Sequence, residues 1–380
     1  MAAGVGAVAL EPYAAHAATA LAADDLTAFR GIVQSYFQNR AIGITQAGKR
    51  LTSADWRQSS ISAFGVATDD EAPEILAGGD LARKAHGGYA GAHATVSLTI
   101  RSASAHEVVL GVEELTSLGF AGAHPPHIPE SRYRLVHEVR LVRDRSRGWL
   151  LADARVESDG ALPPLTQPRL DRAGRRSAAA SAIVGPAAGP ASEVAPVHVA
   201  TRRERLDSVY NHDEMIRYAA TWATSRNPDF PDYHNNGGDC TSFVSQIMFR
   251  GGWAQIGPPG QSTLSKWFYG STVNTCSYTW GAAANWHSFA TLYAARFEAV
   301  SNVYYCQDSD VVQYDWNITA DDKINHTQFV SNNYYDEHTV ELYMTQHDND
   351  YSYRPLSEIL ADVSVKYPRM QVYGLTHSVW

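Results

Sequence analysis

Cys240 stands where a cysteine can be made into a nucleophile. A turn-forming run ends in Gly237-Gly238-Asp239, and from Cys240 onward Phe243, Val244, Ile247 and Met248 recur on one helical face until Gly251-Gly252 stops the pattern. The spacing predicts a helix that begins at Cys240. Unpaired backbone N–H groups and the dipole at such an end favour a thiolate over a thiol. The preceding glycines let a substrate carbonyl approach the backbone, and the N–H of Cys240 is placed to help bind a developing oxyanion. The competing reading of the same spacing is a buried cysteine that packs as a small hydrophobe.

A nucleophile of this kind needs a base from elsewhere in the chain. Residues 310–317 (DVVQYDWN), 326–334 (HTQFVSNNY) and 339–346 (TVELYMTQ) read as consecutive strands, the last with Val340, Leu342 and Met344 on one face. His326 begins the middle strand and His347 follows the last one. In an antiparallel hairpin both lie near the same end of the sheet, the arrangement of a base and its orienter. His212, His234 and His287 read as surface or packing residues. So do His106, His124, His127 and His137 in the first half, since a lone histidine in a strand or a Pro-flanked loop is more often structural or solvated than catalytic.

The elements that must position these groups fall in two regions. Asn211 caps a predicted helix carrying Met215, Tyr218, Ala219 and Trp222 on one face, which ends before Asn227-Pro228. Residues 207–380 thus read as a helix, the Cys240 helix and an antiparallel meander. Residues 24–156 read as a separate α+β domain. In it, Leu26, Phe29, Val33 and Phe37 mark an opening helix, and period-two runs at 95–101, 106–115, 133–143 and 149–157 mark four strands. Between the two, residues 157–206 contain prolines and arginines but no aromatic residue, and read as a linker. Arg202, Arg203 and Arg205 at its end read as solubilising charge.

Charge and aromatics separate the halves as well. Residues 207–380 hold 9 Lys+Arg against 19 Asp+Glu, with 7 of the 9 Trp and 16 of the 20 Tyr. A formal charge of -9 excludes binding by a basic stripe, so no nucleic-acid partner is expected. The lack of about 18 consecutive apolar residues excludes a membrane-spanning helix. Residues 1–23 pair a short apolar run with Ala15-His16-Ala17 but have no basic start, which reads either as a secretory signal or as a disordered Ala-rich tail. In a secreted chain three cysteines leave one over, and the expected partition is a Cys276–Cys306 disulfide with Cys240 free. No C-x-x-C occurs and His234 forms no zinc pattern with Cys240, so no metal and no cofactor are expected.

The order of Asn227-Pro228, the Gly238-Asp239-Cys240-Thr241-Ser242-Phe243-Val244-Ser245-Gln246 block, Gly251-Gly252, a Trp-rich middle and His326-Thr327-Gln328-Phe329-Val330 resembles the putative amidase-domain family. That family belongs to the papain-like cysteine hydrolases related to the NlpC and CHAP enzymes of bacterial cell walls, and the likeness spans roughly 208–365. The resemblance implies Cys240 as nucleophile and His326 as general base. A third, orienting residue follows on the next strand, here assigned to His347 with Gln346 and Asp348 as alternatives. Asp239, Thr241, Tyr233 and Trp316 are the expected substrate contacts. Three positions depart from the family: Ser242 for Asn, Phe230 for Tyr, and Ser309-Asp310 for Gly-Asp. The first domain is similar, without a specific motif, to the nuclear transport factor 2-like or cystatin-like α+β cone.

The resulting expectation is a secreted or cell-wall-associated, cysteine-dependent hydrolase of an amide bond in peptide or cell-wall peptide, acting through a Cys240 acyl-thioester. Two alternatives stand beside it: a transferase on the same scaffold, and a non-catalytic wall-binding protein.

Overall fold

The computed structural model describes residues 9–10, 23–50, 68–157, 164–167, 209–234, 236–316, 324–335, 340–367 and 369–378. They divide into two units, one up to residue 167 and one from residue 209. Both are mixed helix and antiparallel sheet, α+β, with open sheets. Most of residues 1–23, and the predicted linker apart from 157 and 164–167, lie outside the described residues, as do Arg202, Arg203 and Arg205.

In the first unit α1 (Ala23–Gly43) is followed by α2 (Thr68–His86), β2 (Tyr89–Ala103), β3 (Glu107–Phe120), β4 (Glu130–Asp144) and β5 (Gly148–Val156), with the two-residue β1 (Ala9–Leu10) parallel to β2. The sequence pattern accounts for α1: Phe29, Val33 and Phe37 are buried against Leu98, Val112, Val139 and Leu141 of the sheet. β2 to β5 pair antiparallel in order, with extra residues in β2 and β5 that shift the register and bend the strands locally. Residues 164–167 are packed into this unit and not free as linker: the Thr166 carbonyl accepts from Arg40 Nε at 2.8 Å. α2 has no counterpart in the sequence reading. His137, read there as structural or solvated, is buried, with Nε2 2.8 Å from Glu114 Oε2.

In the second unit α3 (His212–Trp222) starts at Asn211, whose side chain accepts from the Glu214 amide at 3.0 Å. α4 (Cys240–Arg250) follows and stops at Gly251. The sheet has the order β10-β9-β8-β7-β11-β6, formed by β6 (Phe297–Val300), β7 (Val311–Asp315), β8 (His326–Tyr335), β9 (Val340–Gln346), β10 (Asp350–Pro355) and β11 (Gln371–His377). Each described pairing is antiparallel. One face packs on α4 through Phe243, Val244, Ile247, Phe329 and Val311, together with Trp253, Trp267, Trp280 and Trp286. The other packs on α5 (Leu356–Lys366) through Val312, Tyr314, Val330, Leu342 and Met344. The three-stranded meander of the sequence reading is therefore the middle of a six-stranded sheet. Those four tryptophans are core, because each is at most 1% exposed.

The expected Cys276–Cys306 disulfide is corrected: all three cysteines are free thiols. Cys276 is buried in the tryptophan cluster, where its sulfur donates to the Thr272 carbonyl at 3.3 Å, while Cys306 is buried in the α5-side cluster beside Val303 and Tyr304. No described helix is long and apolar enough to cross a membrane. Among the described residues no cluster of three His, Cys, Asp or Glu is arranged to hold a metal.

Candidate active site

Two glycines with positive φ, Gly237 (93°) and Gly238 (104°), turn the chain into α4. A distant carboxylate meets the amides that this turn presents. Asp348, in the β9–β10 turn, accepts from the backbone N–H of Asp239 at 2.6 Å and of Cys240 at 3.1 Å. Gly238 admits it, since a Cβ there would stand 2.5 Å from Asp348 Oδ2. Asp239 itself makes no capping bond and faces His347 Nδ1 at 2.6 Å and Arg226 Nε at 2.8 Å.

This arrangement overturns the expectation of a thiolate and of a free Cys240 N–H. Burial first, and then the Asp348 charge, push the thiol up to about 12, while the Thr241 hydroxyl and the Thr327 backbone amide oppose the shift. Cys240 is a buried residue, 8% exposed. It borders a cavity of about 620 Å³ lined also by Tyr233, Asn236, Gly238, Thr241, Gln261, Ser277, Tyr278 and Asn325. Among the described residues no Asp, Glu, Lys or Arg lines this cavity.

β8 brings two kinds of group to the site. Thr327 turns toward α4, where its hydroxyl lies 3.0 Å from Thr241 Oγ1 and accepts from Gln313 Nε2 at 3.0 Å. His326, one residue earlier, shares the other face with Tyr314 and Gln328. Its Nε2 is 3.3 Å from Gln346 Oε1. The Gln346 amide is fixed in that sense because its Nε2 donates to the carbonyls of Asp348 and Asn349, each at 3.0 Å. An amide oxygen as partner makes Nε2 the protonated ring nitrogen and leaves Nδ1 basic. Among the described residues no hydrogen bond joins the Cys240 thiol to the His326 ring; the Thr327 amide on the sulfur belongs to the next residue along β8.

His347 does not occupy the orienting position expected of it. Its Nδ1 faces Asp239, its Nε2 lies 2.8 Å from the Trp222 carbonyl, and its ring stacks on Phe243 at 3.7 Å. Both nitrogens are thereby committed away from His326. Of the expected substrate contacts, Tyr233 and Thr241 line the cavity beside Cys240. Asp239 is instead buried in its ion pairs, and Trp316 packs on Tyr314, His326 and Tyr367. Gln346 and Asp348, secondary choices in the sequence reading, are the side chains that touch His326 and the Cys240 amide. The sequence reading missed Thr327, Asn325 and the Ser277-Tyr278 wall; a Thr facing a Thr across helix and strand carries no signal before the register is known. At the family departures, Ser309 holds a left-handed φ of 71° that favours glycine, Phe230 packs on Trp280, and Ser242 accepts from Gln246.

The imidazole offers a pH test. Burial holds His326 down to about 4, against the opposing bond to Gln346. The unfolded state, with a histidine near 6.5, takes up this proton first, so the contribution of His326 to stability is complete above about pH 6.5 and is lost as pH falls toward 4. His377, lowered to about 3 by burial and by His212, has the same sign, and Asp310, raised to about 8 by burial, has the opposite one. Both remain in a His326→Gln variant. The difference between the denaturation profiles of wild type and His326→Gln should therefore slope by close to one proton between pH 6.5 and 4, and parallel profiles would contradict the buried neutral ring.

A family model described as Putative amidase domain matches residues 209–373. The match supports an amidase-domain family for this stretch and suggests an enzyme of amide-bond hydrolysis. The Uncharacterized protein YhbB of Bacillus subtilis (strain 168) is 28% identical over 135 residues, which are 34% of this chain and 40% of that protein. The chain thus spans about two fifths of that relative's length. Among solved structures, the crystal structure of Kfla4162 protein from Kribbella flavida is 14% identical, covering 35% of this chain and 91% of that one, with a TM-score of 0.24, too low to assign a shared fold.

Proposed function

We propose that residues 209–378 form a papain-like, cysteine-dependent amide hydrolase with Cys240 as nucleophile and His326 as general base. The observation that carries this reading is the placing of Cys240 at the start of α4 on a cavity whose described lining is uncharged, with its sulfur on the Thr327 amide and His326, held by Gln346, the preceding residue of β8. At rest both partners are neutral, a thiol on the α4 side and an imidazole on the other face of β8, so the proton moves during attack. His326 Nδ1 takes the thiol proton as sulfur bonds to the acyl carbon. The resulting imidazolium then gives its proton to the leaving amine, which departs and leaves a Cys240 thioester. Water, deprotonated by the same nitrogen, breaks the thioester to a carboxylic acid and restores the thiol. For this to proceed, the His326 ring must reach the sulfur from its present position against Gln346.

The described lining of the cavity carries no charged side chain, which suits a neutral backbone amide, as in peptide or cell-wall peptide, better than a polyanion. Action outside the cell, as a secreted or wall-associated protein, belongs to this proposal. The second reading, a non-catalytic wall-binding protein, draws on the Cys240 N–H taken by Asp348 and on the missing thiol–imidazole bond. An uncharged peptide epoxide separates the two, because its opening needs a thiolate to attack and an acid to protonate the departing oxygen. The expected result is an adduct on Cys240 of the folded protein and none on Cys276 or Cys306. An unmodified Cys240, or equal modification of all three, would favour the non-catalytic reading.

A further inference from the structure

We propose that Asp348 is a positioning residue whose carboxylate serves as a resident anion on the first amides of α4, competing with a substrate oxygen for the Cys240 N–H and opposing ionisation of the Cys240 sulfur. The proposal rests on the reading of Cys240 as the nucleophile.

Three observations converge on it. The carboxylate accepts from two successive N–H groups, that of Asp239 at 2.6 Å and that of Cys240, which a developing oxyanion would use, at 3.1 Å. The approach is built in, because Gly238 leaves no room for a side chain under Asp348 Oδ2. The turn that carries Asp348 is also tied to the proposed base: Gln346, which holds His326, donates to the carbonyls of Asp348 and of Asn349. Any shift of this turn therefore reaches nucleophile and base together. The charged and titratable groups around the carboxylate are Asp239 just before α4, Cys240 at its first position, His347 on its own hairpin, and Arg226 beyond α3, which also pairs with Asp350. Burial, and then Asp239, raise the Asp348 carboxyl above its ordinary range, so the anion there is held at a cost that protonation or withdrawal relieves.

A bare helix cap would stabilise α4 without any bearing on the sulfur. Asp348→Asn separates the two roles, since it keeps an oxygen for the amides and removes the charge. Asp348→Ala removes both. The measurement is the rate of iodoacetamide alkylation of Cys240 in the folded protein against pH, read on the Cys240 peptide, with melting temperature and circular dichroism on the same samples. Asp348→Asn should lower the midpoint of the alkylation profile by a pH unit or more, about tenfold faster alkylation at a fixed pH below it. Asp348→Ala should lower it at least as far, with some loss of melting temperature. An Asn variant that is folded and alkylates along the wild-type profile would overturn the proposal and leave Asp348 as a cap. Alkylation needs no turnover. A shifted midpoint in a protein that cleaves no amide would therefore uphold the role of Asp348 while removing the hydrolase reading.

Discussion

Cys240→Ala is expected to lower kcat/KM for amide hydrolysis by at least about three orders of magnitude while the chain remains folded, because loss of the nucleophile disables the catalytic unit as a whole. The fold should tolerate the change. The position is the first of α4, alanine is the best helix former, and the Asp348 carboxylate that caps the helix bonds to backbone and not to the thiol. What is lost is a sulfur resting on the Thr327 amide and near Thr241 Oγ1, a contact of modest worth. Turnover by the alanine variant at the wild-type rate, with an unchanged circular dichroism spectrum, would remove Cys240 from the mechanism. Cys276 would then be the cysteine to test, since it borders the same cavity.

The two histidines should fail in different ways. His326→Ala should cost nearly as much rate as loss of the nucleophile, since proposed base and nucleophile act as a unit. His347→Ala should act chiefly on stability. That ring is 1% exposed, bonded at both nitrogens and stacked on Phe243, so its removal opens a cavity and leaves the Trp222 carbonyl and part of the buried Asp239 carboxylate unsatisfied. Losses of this kind amount to about 2–4 kcal/mol. Urea denaturation together with kcat/KM on one substrate decides the assignment. A His347→Ala protein that is fully stable and inactive, beside a His326→Ala protein that still turns over, would reverse it.

Why the sequence names His326 but not its partner can be traced to one bulge. Cα pairing sets Phe329 opposite Thr345 and Val330 opposite Met344, but Asn332 opposite Tyr343, so the register slips by one between Val330 and Asn332. Below the slip, residues of the same parity on β8 and β9 share a face, and His326 sits with Gln346. Above it the parity reverses. A sequence shows neither the register nor the bulge, so His347 and Gln346 read as equally good neighbours until the pairing is known. Asp348 is legible as an alternative third residue, but its bond to the α4 amides is not: Asp-Asn at a hairpin reads as a turn, and the helix end it reaches lies more than a hundred residues away.

What periodicity records was open to reading. Phe29, Val33 and Phe37 on α1, the start of α4 at Cys240, and the four long strands of the first unit all lie where their patterns place them. β11 mixes polar and apolar residues on both faces, so alternation does not mark it, whereas β10 alternates Asp350, Ser352 and Arg354 with Tyr351 and Tyr353. Leu356, Ile359 and Val363 of α5 do have helical spacing, a signal that was present and went unread.

The place of β11 governs how this sheet can be assembled during synthesis. Gln371–His377 pairs on one side with β7, made about sixty residues earlier, and on the other with β6, made about seventy-five to eighty residues earlier. Until that segment has left the ribosome, β6 has no described neighbour in the sheet and β7 presents an open edge. The strand beside the His326 strand is therefore among the last to be closed, and a nascent chain halted before Gln371 carries two unpaired edges. Vectorial folding of the second unit from its N-terminal side is excluded by this topology: α3, α4 and the hairpins can form early, but the sheet under Cys240 closes only after the polypeptide beyond α5 arrives.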